Sequence, residues 1–143
     1  MNYAVLDTSV VVKWFHRENE EDVDKALLLR QAYLEGALNL IVPDLLMYEF
    51  GNFLRFRTGL KPADQLASIR SLWSLGMEIH PIDSLLSEQM VQLASRHDIT
   101  VYDAAFVALS QSLSAPLVTA DRMLHEKCGK KHAVILLAQV EGA

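Results

Sequence analysis

An aspartate interrupts an almost continuously apolar run, TVYDAAFVALS at residues 100–110. A helix reading Ala104, Ala105, Phe106, Val107, Ala108 and Leu109 is apolar nearly all round and belongs inside a protein, which would bury Asp103 with it. A buried carboxylate needs a cation or a hydrogen-bonding partner, or it must hold a proton. Three more acids stand near the ends of short apolar segments: Asp7 after YAVL, Glu49 in the segment that follows LIVP, and Asp121 after PLVTA. Carboxylates gathered in one place repel one another, and a divalent cation removes the difficulty. Oxygen-only ligands favour Mg²⁺ or Mn²⁺, and the absence of HExxH or paired cysteines argues against zinc. Carboxylate-bound Mg²⁺ keeps waters and binds phosphate, so phosphodiester hydrolysis is the natural reaction class.

Each acid also has an ordinary explanation, and taken singly that explanation is the stronger one. Asp7 fits a helix cap before Val10, Thr100 to Asp103 fits a T-x-x-D capping box, and Asp121 fits a cap for a helix starting at Arg122. Glu49 could be a surface helix residue, although Leu45, Leu46, Tyr48 and Phe50 leave little polar face around it. Their joint placement argues otherwise. In an open α/β sheet the ligand site lies beyond the carboxyl ends of the strands. Asp7 and Asp121 each follow a strand, Glu49 lies early in the helix leaving another, and Asp103 opens the helix that runs back to the Pro116 strand. All four should converge on one rim.

The elements that must hold them are legible as short apolar strands alternating with helices. Strands are expected at Tyr3–Leu6, Leu40–Val42, Met77–His80, Pro116–Thr119 and Val134–Leu137. A short helix or turn is expected from Val10 to Phe15, and helices from Ala26 to Gly36, from Leu45 to Gly59, from Pro62 to Gly76, over Leu85–Arg96 and Thr100–Leu113, and from Arg122. The stripe Leu66, Ile69, Leu72 and Trp73 suits a core face, and its tryptophan equally suits an interface. This order implies an α/β layer fold around a parallel sheet, in one domain spanning 1–143 without repeats or linkers.

Composition narrows the class. The chain of 143 residues is 51% hydrophobic and 22% charged, which is globular and far from disordered composition. A lone Cys128 can form no internal disulfide, Met1-Asn2-Tyr3 carries no basic flank, and no apolar run approaches the roughly 20 residues of a spanning helix. The expectation is a cytoplasmic protein with no membrane segment. Histidines 16, 80, 97, 125 and 132 show no metal-ligand spacing. The formal net charge of -5 runs against nucleic-acid binding, unless the acids bind metal and the acidic HRENEEDVD segment lies away from the site.

The segments AVLDTSVVVKWF, PDLLMYEFGNFLRFR, TVYDAAFVALS and PLVTADRML resemble, in order and spacing, the motifs of PIN-domain ribonucleases, most closely the VapC toxins of toxin–antitoxin pairs. The resemblance covers nearly the whole chain, and the ordered D-T-S, E-x-x-N, Y-D-A and T-A-D set is specific. It implies a three-layer fold with a twisted parallel sheet of about four to five strands and helices on both faces. It further implies a Mg²⁺- or Mn²⁺-dependent endoribonuclease with Asp7, Glu49, Asp103 and Asp121 as the acidic set. Asp7 and Asp103 would be direct metal ligands, with Glu49 and Asp121 acting through water or on a second ion. Ser9 and Thr119 match the hydroxyl positions, and Asn52 the polar support on the Glu49 helix.

Lys13, Arg17, Arg55, Arg57 and Lys61 are candidate RNA contacts, each with plain solvation as the competing explanation. The implied partners are an RNA substrate, a VapB-like antitoxin crossing the active-site groove, and a second copy of the chain. Departures from the pattern are small: Ala120 stands at a variable position and Phe106 where tyrosine is common. A catalytically silent PIN module for protein binding or dimerisation is the first rival. A phosphatase using Asp7 as nucleophile is the second, and it would want an acid where Ser9 stands.

Overall fold

The run Tyr3-Ala4-Val5-Leu6 lacks any polar alternation at its end, and it forms the central strand of the sheet. The computed structural model describes residues 2–141; Met1, Gly142 and Ala143, the ends of the expected domain, lie outside the described residues. Five parallel strands are arranged in the order β3-β2-β1-β4-β5. They are β1 (Asn2–Leu6), β2 (Leu38–Pro43), β3 (Glu78–His80), β4 (Leu117–Thr119) and β5 (Val134–Leu136). Ala4 pairs with Leu40 on one side, and Leu6 pairs with Val118 on the other. Pro43 extends β2 by one residue rather than ending it, at the strand terminus, where a proline's missing N–H is tolerated.

Helices fill every crossover. Short α1 (Thr8–Val11) continues into a 3₁₀ turn at Val12–Trp14 and then, after a polar loop, α2 (Val23–Leu34). The strand β2 is followed by α3 (Leu45–Arg57) and α4 (Pro62–Ser74), β3 by α5 (Ser84–His97) and α6 (Val101–Leu113), and β4 by α7 (Arg122–Cys128). The chain runs from β1 to β2 to β3 in one direction and from β3 to β4 to β5 in the other, and because parallel crossovers follow the right-handed rule the helices lie on both faces of the sheet. The three-layer α/β expectation is met. Between β1 and β4 the direction of travel reverses, and that is where an open sheet of this type leaves a crevice.

One cluster of buried side chains joins the layers. Phe50 of α3 and Phe106 of α6 are the largest fully buried members, and Leu6, Leu40 and Leu117 of the sheet belong to the same cluster. Trp14 is buried and donates its indole N–H to the Ala26 carbonyl at 2.8 Å, which fastens the turn after β1 to α2. The expected stripe on α4 divides: Leu72 is buried and Ile69 partly so, whereas Leu66 and Trp73 are exposed. Gly36 and Gly76, with φ of +79° and +70°, end α2 and α4 in a conformation that L side chains rarely adopt.

Candidate active site

The site forms at the reversal because β1 and β4 end side by side. Asp7 continues the ladder by donating its N–H to Val118 at 3.0 Å, which sets its carboxylate beside Thr119. Asp7 occupies the N-cap position of α1, yet its side chain caps nothing. Instead its Oδ2 accepts from Ser9 Oγ at 2.6 Å and from Thr119 Oγ1 at 2.8 Å. Thr119 is fully buried, and its Oγ1 also accepts the Asp121 N–H at 3.0 Å. Ser9 Oγ accepts the Ala120 N–H at 3.0 Å. These bonds lock the D-T-S and T-A-D segments together across 110 residues of chain, so the capping explanation for Asp7 fails. For Asp121 it holds: Oδ1 accepts the Leu124 N–H at 3.1 Å and caps α7.

The other two acids approach from helices. Glu49 lies in the second turn of α3, where its Oε1 accepts from Thr8 Oγ1 at 2.7 Å. Asp103 sits in the first turn of α6, whose N-cap Thr100 accepts the Asp103 N–H at 3.1 Å. Thr8 is the supporting residue that sequence reading missed, although it stands inside the D-T-S segment. Asn52 is exposed on the groove wall one turn from Glu49, and the hydroxyl bond to Glu49 comes from Thr8.

Electrostatics show that the four acids sense one another. Burial pushes the Asp7 carboxyl up, with a further push from Asp121, against the hydrogen bonds from Ser9 and Thr119 that favour its charged form. Burial raises Glu49 as well, and Asp7 and Asp103 add repulsion, while the Thr8 bond lowers it. Asp103 is pushed up to about 6 by burial and then by Asp7 and Asp121; Thr100 and Lys127 pull the other way. All-oxygen donors under mutual repulsion fit a hard divalent cation, which would relieve both burial and repulsion. Among the described residues, no three His, Cys, Asp or Glu side chains are gathered tightly enough to enclose an ion by themselves. Mg²⁺ does not require such a cage, since it usually retains several waters and binds through one or two carboxylates.

A pH dependence follows. A carboxyl raised in the folded state binds protons more readily there than when unfolded, so the metal-free protein loses stability as pH rises from about 4 through about 6. The same protons compete with a cation. Binding of a divalent cation by these acids is therefore expected to weaken as pH drops through about 6, and more cation should restore it. A cation affinity unchanged from pH 5 to 8 would contradict this assignment.

A groove of about 620 Å³ leads from Thr8, Ser9 and Glu49 past Asn52 and Phe53 to Phe56 and Arg57. The expected basic contacts divide around it. Arg57 lines it and is exposed, whereas Arg17, Arg55 and Lys61 are exposed but lie outside its walls. Lys13 lines it but is buried, with Nζ 2.9 Å from Glu20 Oε1. The acidic 16–24 segment was expected to lie elsewhere, yet Glu20 reaches into the groove because Lys13 draws it there. A second hollow, lined by Pro43, Leu45, Tyr48, Leu86, Val101 and Tyr102, is apolar. None of the helices among the described residues is long and apolar enough to cross a membrane.

Residues 4–130 match the PIN domain family. Ribonuclease VapC3 of Pyrobaculum aerophilum is 32% identical over 132 residues, 89% of this chain and 95% of that protein. Among solved structures, DNA-bound VapBC from Salmonella typhimurium aligns over 96% of this chain and 99% of its own, with a TM-score of 0.69 at 15% identity. VapC20 of Mycobacterium tuberculosis, described as a sarcin-ricin loop cleaving toxin, aligns over 87% and 95% with a TM-score of 0.66 at 15% identity. At those identities the two structures speak for the fold.

Proposed function

The chain belongs to the PIN-domain family, and on that premise we propose that it is a Mg²⁺- or Mn²⁺-dependent endoribonuclease acting as the toxin of a toxin–antitoxin pair. The observation that carries the reading is the convergence of Asp7, Glu49, Asp103 and Asp121 on the β1/β4 crevice, each repelled by others of the set. In this reading Asp7 and Asp103 hold the ion directly, and Glu49 and Asp121 act through water or a second ion. A bound divalent ion supplies a water of lowered pKa and offsets charge on the phosphoryl oxygens. The chain supplies the rest. Ser9 and Thr119 orient the Asp7 carboxylate and favour its ionised form against burial, Thr8 does the same for Glu49, and the groove beside them is the path for a strand of RNA.

A VapB-like antitoxin is the proposed inhibitor, supported by relatives whose solved structures are VapBC assemblies. We further read the working form as a cytoplasmic homodimer. The experiment is incubation of the purified, antitoxin-free protein with a panel of structured RNAs including tRNA, with Mg²⁺, with Mn²⁺ and with EDTA. Cutting that appears with either ion and stops with EDTA is the expected result. Equal cutting in EDTA would contradict metal dependence, and no cutting of any RNA by folded protein would favour a silent binding module.

A further inference from the structure

We propose that Phe56 is a base-stacking platform for a nucleotide of RNA bound along the α3 side of the groove. The inference rests on the nuclease reading and extends it to a subsite. Glu49, Asn52, Phe53 and Phe56 stand at i, i+3, i+4 and i+7 and share one face of α3, and all four line the same groove. Seven residues of helix advance roughly 10 Å, so the ring lies two turns from the acid, a separation that a neighbouring nucleotide spans.

The ring is otherwise unexplained. Phe56 is 70% exposed in a chain that buries Phe50 and Phe106 completely, so the core does not require it. The Arg55 guanidinium lies 4.8 Å from its centroid, a cation–π contact that steadies the ring. Beneath it Phe53 is partly buried and held edge-on by His16 at 5.9 Å, which gives the groove a fixed apolar floor. Lys13 is already neutralised by Glu20, whereas Arg57 is in no ion pair among the described residues and is the cation left for a phosphate. Aromatic faces with interspersed cations are how proteins hold single strands without reading sequence, because every base offers a π-face. A protein segment could also cover an exposed phenylalanine. RNA is favoured because this groove opens on Glu49, where the substrate must pass.

The test is fluorescence anisotropy with labelled ten-nucleotide oligoadenylate RNA and the same oligomer carrying abasic nucleotides. To keep the RNA uncut it uses protein in an Asp7→Asn background with Mg²⁺ present. Phe56→Leu is expected to weaken oligoadenylate binding on the order of tenfold, and Phe56→Trp to match or tighten it. On abasic RNA the three proteins should bind alike. Because the ring is exposed, melting temperatures should agree, which separates lost stacking from lost fold. Equal oligoadenylate binding by Phe56→Leu, or a loss that persists on abasic RNA, would overturn the subsite. Should the wild-type chain cut no RNA yet show the stacking signature, the nuclease reading fails and the platform stands. Should it cut RNA with Phe56→Leu unchanged in KM, the platform alone fails.

Discussion

Asp103→Asn is expected to lower RNA cleavage by at least about a hundredfold, the loss typical when one group that stabilises transition-state charge is removed. The substitution keeps volume and the Thr100 cap to the backbone N–H, so the start of α6 should persist. Its effect on stability should be opposite in sign to its effect on activity. At pH 7 the ionised Asp103 is held against burial and against Asp7 and Asp121, with its pKa pushed up to about 6. A raised carboxyl pKa marks a charged form that the fold disfavours, and that cost is present at pH values above the shifted pKa. Removing the charge should stabilise the metal-free protein by on the order of 1 kcal/mol, after discounting for solvent screening of a half-exposed group. A variant that is inactive and also destabilised would point to a structural role. Activity assays paired with thermal melts at pH 5 and pH 7.5 separate the two, since the gain should shrink at the lower pH.

Phe50→Ala is expected to cost about 3–5 kcal/mol of folding stability, the range for emptying a buried aromatic site. Phe50 is fully buried, and its ring meets Phe15 at 5.0 Å and 60°. Phe15 follows the turn that leaves α1, while Phe50 is adjacent to Glu49. The pair therefore clamps the segment after Asp7 to the helix that carries Glu49. Chemical denaturation should show the loss, and Phe56→Ala on the same helix should change stability by no more than about 0.5 kcal/mol because that ring is exposed. Equal losses at both positions would mean that α3 is not seated as described.

The residues that make the strands announce themselves, because a short β-branched and leucine-rich run bounded by Asp, Pro or Gly has few other uses. The four acids were legible for a related reason: strand ends and helix starts can be counted from sequence, and an open α/β sheet places them all on one edge. Boundaries at Val23 and Pro43 shifted by a residue or more, as hydrogen-bonded ends do when packing rather than periodicity decides them. The contacts between elements were not legible. Thr8 and Glu49 are 41 residues apart, and nothing local to either indicates that a hydroxyl on α1 will meet a carboxylate on α3. Nor does composition show that Lys13 will be buried and draw Glu20 into the groove, where charge counting had set the acidic segment aside. Trp73 is a further case. Helical spacing put it on a stripe with Leu72, and only the packing of α4 shows that the stripe is half exposed.

The most direct test of the central claim, that these acids hold a divalent ion for catalysis, is a Mn²⁺ titration of the antitoxin-free protein by calorimetry, beside Asp7→Asn and Asp103→Asn. The account predicts saturable binding by the wild type that releases protons near pH 6 and weakens at least about tenfold in each variant, as loss of a ligand should require. Binding of the same strength in all three proteins would contradict it, because the ion would then lie elsewhere and the acids would be repelling one another to no catalytic purpose.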